Sequence, residues 1–361
     1  MKKRLIALLC VLLLLLPGCS LDLSDVADAA FATGIPRDES AGPVKEGELA
    51  VVFLDVGQGD CTLVQSAGES MLIDCGDIDT FSALEETLER YGIETLRYFV
   101  GTHDHSDHVG AAGALIRSMP VEEILHSPLQ ISGEGYDYNK MFSVAAEKGI
   151  PARALEAGDR FSLGQAQILV LSPSDCDPNN VNNSSIVLKI TGGGCSFLIA
   201  ADAERECERE MLRFGAELSA DVLRVGHHGS ASSTSYRFLR RVMPQYAVIS
   251  VGAGNSYGHP AEAVLSRLSD CGATVYRTDV HGNVCFTASD GVLSVKTQYE
   301  KPAYPPERPD AEKEVYIGNR KSKVFHAPDC KNLPGEKNRV YFESVEEAAQ
   351  AGYSPCGNCN P

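Results

Sequence analysis

The sequence is poor in positive charge, in long apolar runs and in repeats, and each shortage removes a class of function. Lysines and arginines number 32 against 49 aspartates and glutamates, which leaves a formal charge of -17. A protein whose affinity rests on nonspecific phosphate contacts carries a basic surface, so tight nonspecific nucleic-acid binding is disfavoured. Local patches such as Arg237, Arg240 and Arg241 remain available to a polyanion. No stretch reaches the roughly 18 to 20 apolar residues that span a bilayer. The nearest, Leu5 to Leu16, is too short. No segment recurs at solenoid length, which excludes a repeat architecture.

The short apolar run follows Met1-Lys2-Lys3-Arg4 and ends in Pro17-Gly18-Cys19-Ser20, the layout of an export signal over residues 1–19. Leu16-Pro17-Gly18-Cys19 resembles a bacterial lipobox. Cys19 is therefore expected to carry lipid and to anchor the protein to the cell membrane outside the cytoplasm; simple secretion is the alternative. Residues 20–47 are rich in Asp, Glu, Ala, Gly and Pro without periodicity, which predicts a flexible tether. Of the 12 cysteines, Cys10 and Cys19 belong to the export segment, and Cys330, Cys356 and Cys359 have metal-ligand spacing. Cys61, Cys75, Cys176, Cys195, Cys207, Cys271 and Cys285 are left, an odd number. Most sit in apolar runs as small buried hydrophobes, and their pairing stays open.

With 361 residues and 43% hydrophobic positions, the chain has room for one large domain and a small one. Strand-like runs at 49–54, 61–64, 71–73 and 98–100 alternate with helical patterns at 81–91, 109–116 and 140–148. A second set of strands, at 168–171, 185–190, 196–200, 222–225, 246–251 and 274–277, is interleaved with helices at 204–214, 235–242 and 261–269. A strand pair at 283–287 and 293–297 closes the domain. Two strand sets with interleaved helices predict an α/β fold of two facing sheets flanked by helices, over residues 48–298. A charged, proline-rich linker at 299–313 precedes a short terminal unit, 314–361.

The chemistry concentrates in His103-Asp104-His105-Ser106-Asp107-His108. Two imidazoles one residue apart on an extended loop can converge on one cation, while an Asp and a His further along reach a second. His103 and His105 suit the first metal, Asp107 and His108 the second. Three further positions end apolar strands. Asp202 follows Phe197-Leu198-Ile199-Ala200-Ala201 and could bridge two cations; Asp74 ends Met71-Leu72-Ile73 and could orient the histidine loop from behind. His227 and His228 follow Val222 to Val225. Each has a plainer alternative, as a helix cap, a turn former or a polar loop, but their joint occurrence at strand ends favours a site. His259, after the turn Asn255 to Gly258, is a candidate to hydrogen-bond a phosphoryl oxygen or protonate a leaving oxygen. A structural histidine stiffened by Pro260 is its alternative.

The motifs Asp55-Val56-Gly57-Gln58-Gly59-Asp60, Thr102 to Gly110, Asn182-Asn183-Ser184-Ser185, Ala201-Asp202-Ala203-Glu204, Gly226-His227-His228-Gly229-Ser230 and Asn255-Ser256-Tyr257-Gly258-His259-Pro260 occur in one order across the large domain. Together they resemble the metallo-β-lactamase-fold domain of ComEC-type DNA-uptake proteins, without the membrane channel of that family. The resemblance implies an αββα sandwich, two divalent ions (Zn or Mn) and phosphodiester hydrolysis, with DNA as substrate and DNA-uptake machinery as a candidate partner. It implies His103, His105, Asp107, His108, Asp202 and one of His227 or His228 as ligands, with Asp107 and His259 in catalysis and Asp55, Asp60, Asp74 and Asn183 as supports. Where many superfamily members place a further histidine after the third motif, this chain has Asn182-Asn183-Ser184-Ser185. The first metal is then held more weakly, or by Asn183.

In the terminal unit, His326 and Cys330 lie four apart and Cys356-Gly357-Asn358-Cys359 forms a knuckle. Three thiolates and an imidazole suit a closed tetrahedral structural zinc, and a segment this short has too little core to fold without a staple. The unit is similar to the small Ada-type metal-binding module. Three readings follow: a nuclease or phosphodiesterase acting on DNA; a hydrolase of another phosphodiester, such as a teichoic-acid substituent; and a catalytically weak DNA-binding lipoprotein.

Overall fold

The computed structural model describes residues 44–129, 137–174, 180–303, 316–327, 330–342 and 345–359. The expected signal segment with Cys19, nearly all of the tether, and Cys176 lie outside the described residues. Leu49–Phe53 (β1) is an unbroken apolar run, buried along its length as a strand covered on both faces must be. It pairs antiparallel with Thr62–Ser66 (β2), which pairs antiparallel with Glu69–Ile73 (β3). From there the direction changes: Leu96–Gly101 (β4), Val121–His126 (β5) and Ala152–Ala154 (β6) follow in parallel.

A second sheet repeats the plan. Arg160–Leu163 (β7), Ala166–Ser172 (β8), Val187–Gly192 (β9) and Cys195–Ile199 (β10) form an antiparallel meander. Val222–Arg224 (β11), Tyr246–Ile249 (β12) and Thr274–Arg277 (β13) continue it in parallel. The chain then returns to the first sheet with Val284–Ser289 (β14) and Val292–Thr297 (β15), so that β14 lies against β1. The strand orders are β15-β14-β1-β2-β3-β4-β5-β6 and β13-β12-β11-β10-β9-β8-β7.

Between the sheets lies one apolar layer that joins Val51, Phe53, Ile73 and Val100 to Leu188, Phe197, Val222 and Val248. Truncating a residue such as Phe197 there would cost about 3–5 kcal/mol. The outer face of the first sheet is covered by Phe81–Arg90 (α1), Ser106–Val109 (α2), Ala112–Ser118 (α3) and Asp137–Lys148 (α4) through Leu84, Leu88, Val109, Leu115 and Met141. Arg205–Arg213 (α5), Tyr236–Val242 (α6) and Glu262–Asp270 (α7) cover the second through Met211, Phe238, Leu239 and Val264. The result is an αββα sandwich. Among the described residues, no helix is long and apolar enough to cross a membrane.

The terminal unit carries its own sheet of Tyr316–Asn319 (β16), Val324–His326 (β17), Arg339–Phe342 (β18) and Ser354–Pro355 (β19), in the order β18-β16-β17-β19. Among the described residues, Tyr316, Phe325, Phe342, Ala348 and Tyr353 form its buried apolar cluster, with Val340 and Val345 packed against it.

Candidate metal centre

In both sheets the parallel strands end at one place, and the polar residues singled out in the sequence follow those ends. Asp74 follows β3 and His103 follows β4; Asp202 follows β10, His227 and His228 follow β11, and the loop to His259 follows β12. The carboxyl ends of parallel strands are where open α/β sheets bind ligands. The loops are held close together. Asp60 donates its backbone N–H to the Asp107 carbonyl at 2.9 Å. Residue 59 must be glycine, because a Cβ there would lie 2.6 Å from that same carbonyl oxygen.

Asp202 sits at the middle, almost wholly buried. Its Oδ1 lies 3.2 Å from His108 Nε2 and 3.6 Å from His228 Nε2. Its Oδ2 lies 3.9 Å from His103 Nε2 and 3.6 Å from His227 Nε2. Asp107 reaches His228 Nε2 at 3.2 Å, and His105 Nδ1 stands 3.1 Å from His103 Nε2. Both members of the His227-His228 pair therefore point at the same carboxylate, from its two sides. This requires unusual backbone: both have left-handed φ, +50° and +52°, a conformation that costs of order 1–3 kcal/mol and gathers at functional sites.

The outward nitrogens of these rings are anchored. Asp74 Oδ2 accepts from His108 Nδ1 at 2.7 Å, and the same carboxylate accepts from the Thr102 amide and hydroxyl at 2.8 and 2.7 Å. The Ser250 carbonyl lies 2.9 Å from His228 Nδ1. Glu204 Oε1 lies 3.4 Å from His227 Nδ1 and also accepts from Ser232 Oγ at 2.9 Å. His103 Nδ1 meets Thr102 Oγ1 at 3.1 Å and Ser185 Oγ at 3.4 Å. Such partners fix ring orientation and leave the inner nitrogen free for a metal.

Electrostatics follow from the burial. Burial and the neighbouring His108 hold the His103 imidazole well below its ordinary value. Burial pushes His108 the same way, but Asp202 and Asp74 outweigh it and raise that ring. Asp202 is pulled down, since His108 and His228 overcome the effect of burial. The hydrogen bond from His227, outweighing burial, lowers the Glu204 carboxyl to about 2.

The arrangement fits divalent cations. His108 Nε2, Asp202 Oδ1 and His228 Nε2 are buried without any hydrogen-bond partner, although orphaned buried polar atoms are rare. Donor atoms of Asp107, His108 and His228 lie within 4.8 Å of one another, as do those of His103, His108 and Asp202. Tetrahedral sites with bonds of about 2.0–2.2 Å need donors at this kind of spacing. The cluster opens into a cavity of about 290 Å³ lined by Gln58, His105, Ser106, Asp107, Asp202, His227, His228, Tyr257 and His259.

Two expected supports act less directly, Asp55 within its own loop and Asn183 through Glu204. Asp55 uses its carboxylate on the Gly57 amide at 3.1 Å, which closes a turn. Asn183 Oδ1 accepts from the Glu204 amide at 3.1 Å, so it does not face the cluster as a substitute ligand; Ser185 is the residue of that motif beside His103. Asp60 does stand behind the site, and Arg224 is its partner.

Arg224, Glu204 and Ser185 were not singled out in the sequence. Arg224 is wholly buried; it donates from Nε to Asp60 Oδ1 at 3.0 Å, pairs again through Nη2 with Asp60 Oδ2, and donates to the carbonyls of Ala201 and Val225. An arginine inside Val222-Leu223-Arg224-Val225 was the available signal, because a buried guanidinium must have a carboxylate.

In the terminal unit His326, Cys330, Cys356 and Cys359 offer four donors within 4.8 Å. His326 Nδ1 is 3.3 Å from Cys330 Sγ, which also accepts the Asn332 amide at 3.4 Å. Burial raises the Cys356 thiol, but the backbone amides of Cys359 and Asn358 outweigh it and hold the group below its usual value.

The Metallo-beta-lactamase superfamily model matches residues 54–253, and that of the metal binding domain of Ada matches residues 302–361. ComE operon protein 3 of Bacillus subtilis (strain 168) is 33% identical over 278 residues, which are 72% of this chain and 36% of that protein. Competence protein ComA of Neisseria gonorrhoeae is 32% identical over 296 residues, 81% of this chain and 40% of that protein. The chain thus spans less than half the length of either relative. The metallo-beta-lactamase fold protein YhfI from Bacillus subtilis aligns at TM-score 0.46 and 16% identity, covering 70% of this chain and 100% of that one. The histidine run and its strand-end partners up to His228 fall within the matched span, and the chain belongs to the metallo-beta-lactamase superfamily of metal-dependent hydrolases, akin to ComEC-type competence proteins, with an Ada-type metal-binding domain at its end.

Proposed function

We propose that the protein is an extracytoplasmic two-metal phosphodiesterase that degrades DNA. The observation that carries this reading is the convergence of three unpartnered buried atoms, His108 Nε2, Asp202 Oδ1 and His228 Nε2, in a chain akin to competence proteins. One ion, Zn or Mn, would be held by His103, His105, His227 and Asp202 Oδ2; the other by Asp107, His108, His228 and Asp202 Oδ1. His227 then supplies the donor that the absent third-motif histidine would have given. When bound, the two ions supply a water of lowered pKa and withdraw charge from a phosphoryl oxygen. Asp107 and Asp202 hold the negative charge that retains the cations, and Asp74 and Glu204 keep His108 and His227 in the productive tautomer.

His259 stands at the rim with Nδ1 buried and unpartnered, 5.7 Å ring to ring from His227. Burial and the neighbouring His227 lower its pKa, so it is neutral near pH 7 and serves as a hydrogen-bond donor to a phosphoryl or leaving oxygen. Asn255 fixes its backbone, accepting from the His259 amide at 3.1 Å and donating to its carbonyl at 2.7 Å. The signal-like segment before Cys19 supports placement outside the cytoplasm, with lipid on Cys19 as the membrane anchor; likeness to competence proteins supports DNA-uptake machinery as the partner.

The test is a purified 47–361 protein assayed for bound metal and for turnover of single-stranded DNA, duplex DNA and a small phosphodiester. Asp107→Ala and His105→Ala are expected to abolish turnover of all three. Activity unchanged in both variants sinks the hydrolase assignment; turnover of the small diester alone points to a different phosphodiester, such as a teichoic-acid substituent.

A further inference from the structure

A cavity of about 290 Å³ is at the lower limit of what encloses even a small ligand, about 300 Å³. A polymeric substrate therefore lies mostly on the rim. The rim offers little to a polyanion: among the described residues no lysine or arginine lines the cavity, and the whole chain carries a charge of -17. At the mouth of the cavity, affinity beyond the reacting phosphate has to come from something other than Lys or Arg contacts to phosphate.

Of the seven large apolar side chains exposed among the described residues, Tyr257 alone lines this cavity. Its exposure is 70%. The ring is not loose: it stacks on His259 with centroids 5.8 Å apart and planes at 21°. The turn beneath is set by Asn255, whose Oδ1 accepts from the Tyr257 amide at 3.2 Å and whose Nδ2 donates to the Gly252 carbonyl at 3.0 Å. Gly252 is tied in turn to Gln58 on the opposite loop, through Gly252 N–H to Gln58 Oε1 at 3.1 Å. One face of the ring is occupied by His259, and the side chain is otherwise largely open to solvent at the mouth of the site.

We propose that Tyr257 is a stacking platform for the nucleobase next to the phosphodiester held at the metal centre. The proposal rests on the phosphodiesterase reading and names its substrate class: a strand whose base is free to leave its neighbours. Every base has a π-face, so such a platform accepts any sequence. Bases inside a duplex are already stacked, and the platform therefore favours single strands and frayed ends. Affinity gained in this way also depends weakly on salt, unlike affinity gained from phosphates.

The experiment uses the metal-loaded enzyme with two single-stranded oligomers of equal length, one of thymidylate and one abasic throughout. The readout is the ratio of kcat/KM on the first to that on the second. In Tyr257→Ala this ratio is expected to fall about ten-fold, chiefly through KM on the thymidylate oligomer, and Tyr257→Phe should retain it. An exposed tip residue leaves the fold intact in either variant, which thermal unfolding checks. An unchanged ratio in Tyr257→Ala overturns the platform. Absence of turnover on both oligomers in the unsubstituted enzyme overturns the nuclease reading first, and the platform with it.

Discussion

The hydrolase site and the terminal cysteine site are both clusters of four or more metal donors, yet they sit in opposite relations to their folds. Around Asp202 the donors are histidines and carboxylates gathered from the ends of strands in two large sheets, and they open into a cavity. Around Cys330 they are three thiols and one imidazole in a unit whose buried apolar cluster is five residues. In the first case a core of three large clusters has already positioned the donors, and a metal is recruited for chemistry. In the second the described apolar cluster is small, and a metal bound by those donors would supply part of what a core supplies.

The largest expected effect breaks that comparison if it fails. Cys356→Ser, or prolonged chelation, should unfold the terminal unit, so that amides of β16 to β19 lose protection from hydrogen exchange; structural zinc contributes about 10–16 kcal/mol in isolated zinc-finger peptides. In the Cys356→Ser variant, with its own metals left in place, the hydrolase domain should keep its unfolding temperature. A terminal unit that stays protected without metal would mean that its small apolar cluster suffices.

Arg224→Met addresses the opposite pole, a site held by the fold. Removing one partner of a buried ion pair leaves Asp60 charged and unpaired, at a cost of about 3–5 kcal/mol. Combining it with Asp60→Leu should recover most of the loss in denaturant midpoint. If Arg224→Met alone is neutral, the pair is not what braces the two sheets at the site.

The smallest effect is the most selective. Glu204→Gln keeps the size of the side chain but weakens the acceptor facing His227 Nδ1. Affinity for the His227-side ion should fall roughly 10-fold to 100-fold, the range for such supporting partners. The other ion should be retained. Metal titration that shows both ions weakened alike would contradict the separate assignment of His227 and His228.

How far these features could be read from sequence depended on how local their causes are. The histidine run, Asp74 and Asp202 were legible because each terminates an apolar strand, and Thr274–Arg277 was read to its exact ends. Val121–His126 was missed: Glu122 and Glu123 interrupt its alternation, and only pairing with β4 makes it a strand. Ala152–Ala154 is exposed along its length and carries no hydrophobic pattern at all. The helix read at 109–116 is two helices, Ser106–Val109 and Ala112–Ser118, because the Ala111 amide donates to the Gly76 carbonyl at 3.1 Å and the Asp107 carbonyl accepts from Asp60, which interrupts the helical ladder. Arg224 escaped notice for the same reason as β5. Its partner Asp60 is 164 positions away, and no window along the chain contains both.

That separation also sets a timetable. His103, Asp202 and His227 lie on strand ends from both sheets, and the Asp60 to Arg224 brace closes only after β11 has been added to the second sheet. During synthesis the histidine run emerges long before the residues that complete it. Pairing contacts so distant in sequence is intrinsically slow, and the chain as far as Ala201 carries only part of the donor set. The complete donor set at this site therefore exists only once strands of both sheets are in place.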